Sequence, residues 1–227
     1  MSLLLPHEMF AMLHGKHTTA FEEVFGTEAE RVKFWRSYLK DPEFSDHPQS
    51  HFVQKHMDLS VPLRLHGDDM PIRKGLLSIS ANCVSFGSPV TATCSARSSI
   101  ILTCCILQRN LLDISFNSVY RVVCWSLTVL SEGLWPHVDH LGVPWKDEHR
   151  RQMAGRPLAP TATGYLRTVF LEAVGDWKFL REAWQLREHY GVRSCCHLCS
   201  AQKVPGPDSY ADFREEAWAY RRRRTHQ

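Results

Sequence analysis

Between Gly75 and Gln108 the chain carries one charged residue, Arg97, and is otherwise built mainly from Ser, Thr, Cys, Val, Ile and Leu. A tract so poor in charge and so rich in β-branched side chains has to be buried, and it predicts strands more readily than helix. Leu77–Val84 and Ser99–Ile106 read as two buried strands separated by a turn at Gly87-Ser88-Pro89. Cys104 and Cys105 fall in the middle of the second strand, so they face opposite sides and read as small apolar packing residues. Whatever else this chain forms, it must supply a sheet with cover.

The flanking segments supply that cover. Thr19-Ala20-Phe21-Glu22 reads as a capping box, and Phe21, Val24, Phe25, Val32, Trp35 and Leu39 follow a helical stripe that Pro42 stops. Residues 41–60, with His47, His51 and His56, read as a polar connector. Val61–His66 reads as a short strand running into a turn-forming cluster, Gly67-Asp68-Asp69-Met70-Pro71. Downstream, Phe116, Val119, Tyr120, Val123, Leu127, Leu130 and Leu134 predict a helix of about 18 residues that ends near Gly133 and Pro136.

Residues 136–163 suit a surface loop or insertion, and Tyr165–Val174 reads as a strand ending at Gly175-Asp176. Trp177, Leu180 and Trp184 imply a further helix that Gly191 ends. The sequence then passes a Cys-rich segment and a Pro205-Gly206-Pro207 break before a short helix finishing in Arg221, Arg222, Arg223 and Arg224. The expected class is α/β, a mixed sheet with flanking helices. Three regions are expected: a helical segment and linker over 1–60, a core over 61–190 with its insertion near 136–163, and a Cys knuckle with a basic tail over 191–227.

Composition narrows the function. The chain is 227 residues long, 44% hydrophobic and 22% charged, which suits a folded chain rather than a disordered one. Its net charge is +3, yet the run from Arg221 to Arg224 alone supplies four cations, so the basic balance belongs to the tail. The opening Met1–Pro6 lacks the basic flank and apolar run of a secretory signal, and no apolar stretch approaches the roughly 18 residues of a membrane span. Cysteine spacing is not that of a small disulfide scaffold, so an intracellular chain with reduced thiols is expected. No Gly-rich phosphate loop or Gly-x-Ser-x-Gly elbow points to a small-molecule substrate.

Three constellations can carry chemistry. Asp68 and Asp176 each follow a strand, where a carboxylate is held stiffly, and two such groups can share divalent cations such as Mg²⁺. The plainer alternatives are a helix N-cap at Asp176 and ordinary turn chemistry at Asp68-Asp69, with His66 either a neighbour of that site or a turn residue. Cys196-His197-Leu198-Cys199 has the spacing of two thiolates on one tetrahedral zinc, with Cys195, His197 and His189 as nearby further ligands. The same residues also suit unliganded thiols. The tail cations Arg221, Arg222, Arg223 and Arg224 suit phosphate contact or a nuclear import address, or a solvated terminus.

Gly175-Asp176-Trp177-Lys178-Phe179-Leu180, followed by a helix, His189 and Ser194-Cys195-Cys196-His197-Leu198-Cys199, resembles a stretch of the transposases of CACTA-type and related cut-and-paste elements. Pro62–Pro71 is similar to the first-strand motif of the same catalytic domains, which have a ribonuclease H-like fold. The resemblance spans roughly residues 60–215, with its specific motifs at about thirty positions. It implies a DDE/D core in which Asp68 and Asp176 bind Mg²⁺ or Mn²⁺, a knuckle binding Zn²⁺, and DNA as partner. The family's third acid lies well downstream of its Cys-x-x-Cys, whereas Glu215 and Glu216 sit close behind Cys199. The expectation is therefore a truncated or decayed copy with weak strand-transfer or nuclease activity, or none. The alternative is a non-enzymatic DNA- or protein-interaction module with a small zinc-binding knuckle.

Overall fold

The computed structural model describes residues 4–74, 77–91, 100–107 and 115–175. Met1–Val174 form one compact unit and Gly175–Gln227 a second. Along the first run α1 (Pro6–Lys16), α2 (Thr18–Phe25), α3 (Glu28–Tyr38), a 3-10 turn (Pro42–Asp46), α4 (Ser50–Lys55), β1 (Ser60–Lys74) and β2 (Leu77–Gly87). A 3-10 turn at Pro89–Thr91, β3 (Ile100–Leu107), α5 (Ser115–Glu132), α6 (Glu148–Met153) and β4 (Arg167–Gly175) complete the described elements. Among the described residues, no helix is long and apolar enough to cross a membrane.

The protein is α/β, with a four-stranded mixed sheet in the order β3-β2-β1-β4. β1 and β2 form a long antiparallel hairpin, from Arg64 opposite Gly87 to Lys74 opposite Leu77. β2 and β3 are also antiparallel, from Gly87 opposite Ile100 to Ala81 opposite Leu107, with an irregularity between Val84 and Ser85. The N–H of Arg167, first in β4, donates to the carbonyl of Leu59 at 2.9 Å, just ahead of β1. β1 and β4 therefore start side by side, and the chain reaches β4 by way of α5, as a parallel neighbour requires.

Two expectations are corrected here. Gly67–Pro71 is not a turn: it lies inside β1, with Gly67 opposite Val84 and Pro71 opposite Ser80. Continuous pairing with β2 holds these residues extended and outweighs their local turn preference. The stripe from Phe21 to Leu39 is also not one helix, and its capping box is not at Thr19. Gly26 adopts φ 77°, ψ 156°, which ends α2. Thr27 caps α3: its N–H donates to Glu30 Oε2 at 2.8 Å, while the Glu30 N–H donates to Thr27 Oγ1 at 3.4 Å. That bond to the Thr27 backbone holds the Glu30 carboxyl below its ordinary range.

The helix α5 and the strands β2, β3 and β4 lie close to where charge depletion and periodicity put them. Gly133, at φ 73°, ends α5 as expected. Residues 41–60 are more than a connector. Phe44 and Val53 are buried with Trp35 and Val169 in one cluster, and Trp35 Nε1 donates to the Ser60 carbonyl at 2.8 Å. The same segment covers the outer edge of β4: Gln49 Nε2 donates to Thr168 O at 3.1 Å and His47 Nε2 to Phe170 O at 3.0 Å. Because His47 Nδ1 accepts from the Gln49 N–H, the Nε2–H tautomer is the one required.

A second set of aromatic contacts joins α1 and α2, where Phe10 meets Phe21 and Phe25 edge-on with ring centroids 5.1 Å apart. Phe25 in turn approaches Phe86 of β2 at 6.2 Å, carrying this packing onto the sheet. Arg31 is buried, and its guanidinium donates to the carbonyls of Gly26 at 2.6 Å and Asp58 at 3.4 Å. It thus ties the corner between α2 and α3 to the segment entering β1. Burial pushes its pKa down from the ordinary value.

Candidate functional site

Asp68 lies within β1, opposite Cys83 of β2, rather than at a strand terminus. A residue so placed has a backbone fixed by its neighbours, and β1 is an interior strand flanked by β2 and β4. The neighbouring stretch of β1 alternates, with Leu63 and Leu65 buried and Arg64 and His66 half-buried. The His66 carbonyl accepts from Ser85 Oγ at 3.3 Å across the hairpin. β4 ends at Gly175, immediately before Asp176 in the sequence.

Asp176 itself lies outside the described residues, as do the knuckle candidates His189, Cys195, Cys196 and Cys199. The tail cations Arg221, Arg222, Arg223 and Arg224 lie outside them too. The zinc knuckle and basic tail are therefore named here from sequence alone. Among the described residues, no group of three or more His, Cys, Asp or Glu side chains is placed to hold a metal ion.

A feature that pattern reading missed is a cleft of about 460 Å³ between α1, α5 and the segment that follows α5. Val122, Trp125, Asp139, His140, Trp145 and Arg150 line it. The Trp125 and Trp145 rings are tilted by 58° with centroids 6.1 Å apart, and Trp145 Nε1 donates to the Pro136 carbonyl at 2.8 Å. Arg150 lies over the Trp145 ring at 4.8 Å and pairs with Glu8 of α1 at 2.7 Å. Asp139 Oδ1 accepts the N–H groups of Leu141 and Val143, both at 2.9 Å, which shapes the 138–144 loop. Those backbone bonds, that from Val143 foremost, hold its carboxyl below the ordinary range.

Beside this cleft, His7 of α1 is wholly buried and is held against α5. Its Nδ1 lies 2.8 Å from Ser126 Oγ, and its ring meets Trp125 and Trp135 edge-on at 5.0 Å and 5.8 Å. The arrangement is a pair of aromatic walls with one guanidinium already neutralised by Glu8. Tryptophans at 125, 135 and 145 were the visible signal for it, but its wall also needs α1, which carries little amphipathic pattern. Comparison of the chain with protein-family models, curated proteins and solved structures finds no match.

Proposed function

We propose that this chain is a transposase-derived, nucleic-acid-associated protein on a ribonuclease H-like core, with weak strand-cleaving activity of its own or none. The order of the sheet carries the reading. A ribonuclease H-like core needs a three-stranded antiparallel meander whose first strand is interior, joined on its other side by a parallel strand reached over a helix. The order β3-β2-β1-β4, with α5 preceding β4, supports this. So does the position of Asp68 on β1 and the step from β4 directly to Asp176 in the sequence.

Two carboxylates offer hard oxygen ligands suited to Mg²⁺ or Mn²⁺ rather than to a thiophilic metal. When bound, such ions supply activation of the attacking oxygen and stabilisation of the leaving oxygen in phosphodiester chemistry. The chain's own part is rigidity, since β1 is flanked on both sides by other strands of the sheet. By the resemblance Glu215 and Glu216 stand too close behind Cys199 to serve as the third acid, so Asp68 and Asp176 alone are assigned and would hold one of two cations loosely. Weak cleavage follows. Contact with DNA needs only Lys and Arg, so Arg221, Arg222, Arg223 and Arg224 would sustain binding that falls steeply with salt.

The test is a calorimetric Mn²⁺ titration of the full chain and of Asp68→Asn, alongside plasmid cleavage. Asp68→Asn should keep its circular dichroism spectrum and weaken Mn²⁺ binding by about tenfold or more, while cleavage by the unmodified chain stays marginal. Equal Mn²⁺ binding by both proteins overturns the assignment of Asp68. Robust Mg²⁺-dependent cleavage abolished by Asp176→Asn overturns the weak-activity reading.

A further inference from the structure

Three aromatic rings line the cleft beside α5, and Trp125 is the middle one. Trp145 stands 6.1 Å from it at a tilt of 58°, and His140 stands 6.1 Å from it at a tilt of 60°. Rings inclined in this way around one cavity form a corner rather than a stack. A cation held within about 6 Å of such ring centroids is attracted by each quadrupole. The cleft's volume, about 460 Å³, lies within the roughly 300–1,000 Å³ of small-ligand sites.

The charges of the cleft select the ligand. Arg150 reaches it and lies over Trp145, but its Nε and Nη2 both donate to Glu8 Oε1, at 2.8 Å and 2.7 Å, so its charge is countered. Asp139 is placed differently. Backbone N–H groups of Leu141 and Val143 hold its Oδ1, and among the described residues no cationic side chain pairs with it. An uncountered carboxylate beside aromatic rings repels phosphate and favours a cation. A primary ammonium brings three N–H donors that each need an acceptor, which the indole rings, Leu5 and Val122 do not supply. A quaternary ammonium has no donors and presents methyl groups that pack against the rings. We propose that this cleft binds a small quaternary ammonium cation of the choline kind, with Trp125, Trp145 and His140 as walls and Asp139 as counter-charge. The inference stands apart from the transposase reading, since it uses only the cleft.

The experiment follows the indole N–H resonances of the full chain as choline is added at constant ionic strength. Those of Trp125 and Trp145 should shift saturably, while that of Trp35, buried in another cluster and bonded to the Ser60 carbonyl, stays in place. The uncharged isostere of choline, with carbon in place of nitrogen, should bind about tenfold more weakly. Ethanolamine should bind more weakly as well. Asp139→Asn keeps an Oδ1 to accept the Leu141 and Val143 N–H groups but removes the charge. It should weaken choline several-fold and leave the isostere's affinity unchanged. Indole resonances that stay in place at high-millimolar choline overturn the proposal. So does equal binding of choline and its isostere, which would make the cleft merely apolar. Ethanolamine binding as tightly as choline overturns it too, as does a folded Asp139→Asn protein that binds choline at full strength.

Discussion

Protonating His7 should destabilise the folded protein, and the size of the effect follows from where the imidazole sits. The ring is fully buried between two tryptophan edges, its Nδ1 meets Ser126 Oγ, and its Nε2 is buried without a hydrogen-bond partner. Burial first, and the Arg150 charge second, push its pKa from the ordinary 6.5 down to about 3. The unfolded chain therefore takes up a proton as pH falls below about 6.5, while the folded chain does not do so until about 3. In that window the unfolded state binds more protons, so stability rises with pH and is lost on acidification at about 1.4 kcal/mol per pH unit.

By pH 5 the His7 contribution amounts to a loss of about 2 kcal/mol, a sizeable share of the 5–15 kcal/mol typical of folded chains. Urea unfolding followed by tryptophan fluorescence at pH 7.5 and pH 5, on the unmodified chain and on His7→Gln, isolates it. Other titrating groups, including His14, whose pKa is also lowered by burial, act in both proteins and cancel in the difference. The unmodified chain should lose about 2 kcal/mol more than the variant between the two pH values. Equal losses in the two proteins, or an imidazole resonance of His7 titrating near its ordinary value, would refute the reasoning.

Gly26→Ala should lower Tm by several degrees. A side chain at φ 77°, ψ 156° costs about 1–3 kcal/mol, and the new Cβ would meet Val90 Cγ1 at 2.6 Å. A scan showing an unchanged Tm would remove the case for a glycine-specific corner between α2 and α3. At the Cys knuckle, the purified chain should hold close to one zinc. The double change Cys196→Ser with Cys199→Ser should release it and lower stability, as elemental analysis and thermal scans would report. A metal-free chain with unchanged stability would refute that site.

Several parts of this protein were legible in the sequence because their causes are local. Charge depletion over 76–107 announces strands, and β2 and β3 are there, although Leu102 of β3 is exposed rather than buried. A three-to-four-residue apolar repeat closed by Gly133 announces α5, and its observed bounds, Ser115–Glu132, match. The Gly26-Thr27 corner was also written in the sequence, as a glycine followed by Thr-x-x-Glu, although an apolar stripe running across it suggested one continuous helix. The strand setting of Asp68, inside β1 and opposite Cys83, was not legible.

What only the tertiary structure decided are features whose partners lie far along the chain. Gly67-Asp68-Asp69-Met70-Pro71 has the composition of a turn, yet β2 pairs with it throughout, and ladder bonds to a distant strand override local preference. The Trp-lined cleft gathers Leu5, residues of α5 and residues 139–150, and beside it Glu8 of α1 meets Arg150 across 142 residues, pairings invisible to any window of sequence. Register is the same kind of fact. Local pattern put Cys104 and Cys105 side by side in one strand, but only the pairing of β3 with β2 sets Cys105, and not Cys104, opposite Cys83. Periodicity is a property of one segment and can be read from it, whereas register and contact belong to two segments and arise only when both are folded together.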